Sequence, residues 1–181
     1  MNTRIQKIFE KYYNTHSKAY HYVTLHSKAV CDFCIPIAHA HGAEVSLVES
    51  GSFLHDIGAI FCDAPSMGCF GTRPYIQHGV EGQKLLEQEG IFYEAKIALT
   101  HVGVSISVQD IIDQNLPLPQ QDMTPTTLEE KIIAYGDLFF SKRPAYLTTP
   151  KSIERVRYEV SRYGIRAREI FETWHEQFYI P

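Results

Sequence analysis

The 181-residue chain has no apolar run approaching the ~18 residues that span a bilayer. Its opening, Met-Asn-Thr-Arg-Ile-Gln-Lys, lacks the apolar core of a signal peptide. A cytoplasmic protein with no membrane partner is therefore expected. Positive charge is not in excess either: 17 Lys and Arg stand against 21 Asp and Glu, a formal net charge of −4. That excludes the electrostatic footprint of a protein that grips duplex nucleic acid by its phosphates. A small phosphorylated ligand remains compatible, because a metal or a local cation cluster can supply the positive charge. No repeat, low-complexity stretch or dividing linker occurs, and no segment sustains the period-2 alternation of a half-buried strand. Cysteine is scarce, with four in all (Cys31, Cys34, Cys62 and Cys69), which a reducing compartment keeps as thiols.

What remains is an ordinary globular composition, 44% hydrophobic and 21% charged. A chain of about 150–180 residues buries roughly 70% of its unfolded surface without disulfides. Ile5, Ile8, Phe9, Tyr12 and Tyr13 recur at helical spacing. A long helix is expected from about Ser17 to His41, stopped by Gly42, and another from Glu44 to about Ile57. Gly51 in the latter is costly in a helix and marks either close packing or a break. Residues 60–74 read as a loop, followed by helices over Tyr75–Gln88 and Phe92–His101. Ser107 with Asp110 caps a short helix to Asn115, and Thr126–Glu129 or Thr127–Glu130 opens a helix running to Ser141. Pro150 suits the first turn of a last helix toward Tyr179. The expected fold is all-α, about seven helices in one domain over 1–181, closed by a C-terminal helix over about 150–179.

Nine histidines are the compositional signal. Leu54-His55-Asp56-Ile57-Gly58 sets an imidazole beside a carboxylate, two ligand types that suit an ion of intermediate softness. His26 precedes this pair, mid-helix among apolar neighbours, and His78, His101 and Asp137 follow it. Taken singly, each reads as a hydrogen-bonded core residue; taken in order, the six do not.

The order His26, His55-Asp56, His78, His101, Asp137 resembles the HD-domain metal-dependent phosphohydrolase superfamily, and Leu-His-Asp-Ile-Gly resembles its small HDIG proteins. The resemblance spans about residues 20–142. It implies a helical bundle with inward ligands, His26, His55, Asp56 and Asp137 on a first metal and His78 and His101 on a second, bridged by Asp56. The implied cofactor is one or two divalent transition ions, Mn, Fe or Zn foremost, with Mg, Co or Ni also compatible. The Gly-Tyr-Pro element of the cyclic-di-GMP-degrading subgroup is absent, since Thr100-His101-Val102-Gly103-Val104-Ser105 stands there instead.

The implied activity is hydrolysis of a small, nucleotide-like phosphorylated substrate by a metal-activated hydroxide, with His55 and Asp56 at its centre. Lys142, five residues after Asp137, reads either as solvated charge or as a point charge for a substrate phosphate. Arg73 and Lys131 are weaker candidates of the same kind. Two other readings share the ligand set: a mixed-valent di-iron oxygenase, and a non-catalytic nucleotide-binding module. The pair Cys31-x-x-Cys34 with Cys62 and Cys69 has poor spacing for a zinc knuckle and reads as core thiols. His39 and His41 are expected to meet helix carbonyls, and His16, His21 and His175 to be surface or cap residues. Tyr75 and Tyr135 fit either packing or stacking on a base. The sequence does not define an oligomeric state.

Overall fold

The computed structural model describes residues 3–180, so Met1 and Asn2 of the opening segment and Pro181 lie outside the described residues. Nine α-helices carry the fold among them: α1 (Thr3–Tyr12), α2 (Lys18–His41), α3 (Val45–Leu54), α4 (His78–Gln88), α5 (Phe92–Thr100), α6 (Val108–Asp113), α7 (Leu128–Asp137), α8 (Ile153–Ser161) and α9 (Ile165–Phe178). A hairpin of two-residue strands, β1 (Asp63–Ala64) and β2 (Cys69–Phe70), interrupts the expected loop. Two residues per strand are too few for alternation to register in a sequence. None of the described helices is long and apolar enough to cross a membrane.

Local chemistry sets most boundaries. Ser17 caps α2 by accepting the Tyr20 N–H, and α2 ends where Gly42 takes φ 68°. Ser107 and Asp110 form the reciprocal capping box. Of the two registers open for α7, the fold uses Thr127, whose hydroxyl accepts from the Glu130 N–H. The Glu130 carboxylate turns elsewhere, to the Thr126 N–H and the Thr100 hydroxyl, joining α7 to the end of α5.

Three expectations shift. Helix α7 stops at Asp137 rather than Ser141, because Phe139 and Phe140 close tight turns onto the carbonyls of Gly136 and Asp137. The C-terminal helix starts at Ile153 under a Ser152 cap, leaving Pro150 outside it. That segment is also two helices, broken at Gly164 with φ 107°, a conformation L side chains avoid.

The choice at Gly51 falls to close packing. A Cβ there would lie 2.6 Å from Ile97 Cδ1 and 2.8 Å from Ile133 Cδ1, so the missing side chain lets α3 approach α5 and α7. Around this contact Val30, Val48, Ile97, Ile133 and Tyr135 share one buried cluster with Val156, Phe171 and Phe178 of α8 and α9. A second cluster holds α1 and the start of α2 against Phe53, Leu54 and Ile57. Helix α2 joins the two and crosses the middle of the molecule.

Candidate metal centre

The six His and Asp positions arrive from five helices, and five of the six sit at helix ends. His26 is inside α2; His55 and Asp56 follow α3; His78 opens α4; His101 follows α5; Asp137 closes α7. Helix ends let short loops steer a ligand while the helices stay packed. His26, His55, Asp56, His78 and His101 are buried, and the Asp137 carboxylate is 20% exposed.

Asp56 is the centre. Its Oδ2 lies 3.0 Å from His55 Nε2 and 3.2 Å from His26 Nε2, while its Oδ1 lies 3.2 Å from His78 Nε2 and 3.6 Å from His101 Nε2. Asp137 Oδ1 adds a contact of 2.7 Å to His26 Nε2 and one of 3.5 Å to His55 Nε2. The donor atoms thus fall into two groups, His26–His55–Asp56–Asp137 and Asp56–His78–His101, sharing Asp56, each with all its atoms within 4.8 Å of one another.

Three of the rings are oriented from behind. His55 Nδ1 lies 2.6 Å from the Ser52 carbonyl, His78 Nδ1 2.7 Å from that of Tyr75, and His101 Nδ1 2.8 Å from that of Ala98. A carbonyl only accepts, so each Nδ1 donates and each ring presents Nε2 inward, as a lone pair wherever the ring is neutral. Those nitrogens then crowd: His26 and His55 meet at 3.2 Å and His78 and His101 at 3.0 Å. Opposed lone pairs repel unless a proton or a cation lies between them. Borderline imidazole and carboxylate donors, fixed by outer hydrogen bonds, are the set that a divalent transition ion takes. The residues fit such an ion.

The charges follow the same geometry. Burial, reinforced by the Lys142 ammonium, lowers the His26 pKa to about 4. Burial lowers that of His78 to about 3, against the pull of Asp56. Burial also opposes charge on His55, but the Asp56 and Asp137 carboxylates outweigh it and lift the pKa to about 9. Burial would raise both carboxylates; Lys142 and the imidazoles overcome it and keep them well below the usual range.

Lys142 reaches this centre. The turns after α7 bring its ammonium into contact with Asp56 Oδ2 and to 3.8 Å from Asp137 Oδ1, and the side chain is only 15% exposed. Solvated charge is thereby excluded for it. Arg73 is exposed near Glu81, at 3.7 Å, and neither it nor Lys131 lines the cavity over the centre. That cavity holds about 700 Å³ and is walled by Tyr75, His78, His101, Asp137 and Lys142, with Lys151 opposite. Lys151 gave no signal in the sequence. It is buried and held by the Leu138 carbonyl at 2.9 Å and Glu159 at 3.0 Å.

The remaining candidates separate from the centre. All four cysteines are buried free thiols, Cys34 in one cluster, Cys31 and Cys69 in the other and Cys62 just before β1, and no described metal-capable group includes one. His41 lies edge-on to Phe178 instead of capping a helix carbonyl, and His39 is exposed. His175 is half-buried rather than a surface residue, 2.8 Å from the Tyr135 hydroxyl and stacked on Phe171. Tyr135 is thereby a core residue, whereas Tyr75 lines the cavity.

No family model matches the chain. It is 35% identical over 132 residues to an uncharacterized protein of Methanocaldococcus jannaschii, covering 67% of this chain and 69% of that one. It is 32% identical over 121 residues to a tRNA (cytidine(56)-2'-O)-methyltransferase of Thermoplasma volcanium, and there the match spans only 32% of the relative's length. Among solved structures, the HD domain of the L. monocytogenes phosphodiesterase PgpH superposes with a TM-score of 0.56 at 18% identity, covering 99% of this chain and 90% of that domain. The same domain in complex with cyclic-di-AMP superposes with a TM-score of 0.52, covering 96% and 94%. The helical order thus has its counterpart in that HD-domain fold, and the chain belongs to the same family as the Methanocaldococcus jannaschii protein.

Proposed function

We propose that the protein is a metal-dependent phosphohydrolase acting on a small phosphorylated, nucleotide-like substrate. The observation that carries this reading is Asp56, a buried carboxylate with one oxygen facing His26 and His55 and the other facing His78 and His101. His26, His55, Asp56 and Asp137 would hold one divalent transition ion, and His78 and His101 would hold a second through the shared Asp56. Such ions supply Lewis-acid stabilisation of phosphoryl charge and a water acidic enough to act as a nucleophile near neutral pH.

The chain's own residues do the rest. Asp56, with one oxygen toward each group of imidazoles, would screen two bound cations from each other, which a neutral ligand cannot do. The Nδ1–carbonyl bonds hold three rings in one tautomer, so no reorganisation is needed when substrate arrives. Lys142, reaching the centre from the end of α7, offers a point charge to a phosphoryl oxygen. The cavity volume suits a ligand of nucleotide size, and the complex of the PgpH domain with cyclic-di-AMP supports a nucleotide-like substrate. The likeness to the methyltransferase covers a third of that enzyme and carries no methyl-transfer reading. In this account all of 1–181 works as one domain in the cytoplasm.

The test is a phosphoester and pyrophosphate screen of protein loaded separately with Mn, Fe and Zn. Release of phosphate from a nucleotide-like substrate is expected. Oxygen consumption by the iron form without any phosphoester turnover would replace this reading by an oxygenase.

A further inference from the structure

Apart from the Asp56 oxygens, which the imidazoles and Lys142 face, the buried side-chain atoms of the described residues that lack a well-formed hydrogen bond are His26 Nδ1 and the hydroxyls of Ser27, Ser52 and Tyr75. Of the residues that carry them, only Tyr75 lines the cavity over the His-Asp centre. It also lines an adjoining cavity of about 350 Å³, so its ring forms part of the wall between the two.

Tyr75 is held through its carbonyl and its ring, and its hydroxyl oxygen faces the Lys142 ammonium, which can only donate to it. It begins the short turn Tyr75–Gln77 that leads into α4. Its carbonyl takes the Nδ1 proton of His78, and its ring stacks on the His78 ring with centroids 4.6 Å apart and planes 20° from parallel. The charged groups that act on the phenol are Lys142, Asp56 and Asp137. Both carboxylates are already engaged by imidazoles and by Lys142, which leaves the phenol as a donor with no acceptor in the protein. An unpaired buried hydroxyl is costly, and one fixed in the wall of a polar cavity is matched to an acceptor carried by a ligand. An anionic oxygen is the strongest such acceptor.

We propose that Tyr75 is a substrate-binding residue whose hydroxyl donates a hydrogen bond to a nonbridging phosphoryl oxygen, beside the charge supplied by Lys142. This rests on the phosphohydrolase reading for its ligand, and it adds a neutral donor that the His and Asp residues, all ligand-type acceptors, do not provide. Tyr75→Phe removes the donor and keeps the ring on His78.

Manganese-loaded wild type and Tyr75→Phe are titrated with inorganic phosphate by calorimetry, with metal content and thermal melting measured on the same samples. The variant is expected to bind phosphate about 10-fold more weakly, as for loss of one hydrogen bond to a charged group. Its metal content should equal wild type and its melting temperature should stay near wild type, since the proton of the lost hydroxyl had no acceptor in the protein. Phosphate should also perturb the near-ultraviolet tyrosine spectrum of wild type, and that signal should vanish in the variant. Equal phosphate affinity in the two proteins, loss of metal from the variant, or no phosphate binding by wild type overturns the assignment. Wild-type turnover is read separately: phosphate binding that depends on Tyr75, without hydrolysis of any phosphoester, retains Tyr75 as an anion donor and removes the hydrolase reading.

Discussion

His78 and His101 face each other through their Nε2 atoms at 3.0 Å, and each ring gives its Nδ1 proton to a main-chain carbonyl three residues earlier. The two lone pairs therefore converge beside Asp56 Oδ1, which is 3.2 Å from one and 3.6 Å from the other. Two lone pairs and an anionic oxygen at one point repel, and a shared cation makes the same arrangement favourable. The energy that holds the rings there comes from the helices behind them, because α4 and α5 pack through Gly79, Gly82 and Ala98.

Gly58 of the His-Asp-Ile-Gly segment is the backing for this arrangement. A Cβ at Gly58 would stand 2.2 Å from both the His78 carbonyl oxygen and the Gly82 amide nitrogen. Both obstacles are backbone and cannot rotate away. Gly58→Ala should cost at least about 2–3 kcal/mol by overpacking. That corresponds to a melting temperature lower by about 5 °C or more. Thermal melting of metal-free protein checks it; a variant as stable as wild type would show that α4 can shift away from Asp56 without penalty.

Lys142 competes with any ion for Asp56, since its ammonium already contacts Oδ2. Lys142→Ala should hold divalent metal at least as tightly as wild type, because a rival cation is gone. Turnover of a phosphoester should nevertheless fall, by about 100-fold if the lysine stabilises charge on the transferring phosphoryl group. Metal affinity and kcat measured on one preparation separate the two effects. Unchanged kcat would return Lys142 to a purely structural role.

A pH-dependent element lies away from the centre, where α7 meets α9. His175 accepts or shares a hydrogen bond with the Tyr135 hydroxyl, and burial, with Arg157 adding to it, lowers the His175 pKa below its ordinary 6.5. A depressed histidine pKa means that the fold favours the neutral ring. Its stabilisation is present above the unfolded value and is lost as the pH falls through 6.5 toward the folded pKa. Titration of the His175 ring protons by nuclear magnetic resonance should give a midpoint below 6.5. A midpoint at or above that value contradicts the assignment.

Much of this arrangement is legible in the sequence, and the reasons differ by element. The six His and Asp residues stand out because ligand-type side chains in apolar helical segments are rare enough to be noticed together. The caps at Ser17, Ser107 and Thr127 are local chemistry and can be located without tertiary information. The early end of α7 was hidden, because Gly136 lies inside its last turn rather than after it and the turn is set by how Phe139 and Phe140 enter the core. The hairpin at 63–70 was hidden by its shortness. Tyr75 could be seen as an aromatic before a histidine, but its unpaired hydroxyl is a property of what surrounds it. The same holds for His175, whose partner Tyr135 is 40 residues away.

The central claim is that Asp56 is shared between two cations, and metal stoichiometry in three proteins tests it most directly. Wild type, His78→Ala and Asp56→Ala are loaded with Mn or Fe and analysed for metal per chain, with circular dichroism confirming that helix content is kept. The account predicts about two ions in wild type. His78→Ala should keep about one, on His26, His55, Asp56 and Asp137, and Asp56→Ala about none, because cations without a shared anion repel. Full metal content in His78→Ala would contradict the shared-carboxylate centre and leave a mononuclear site on His26, His55, Asp56 and Asp137.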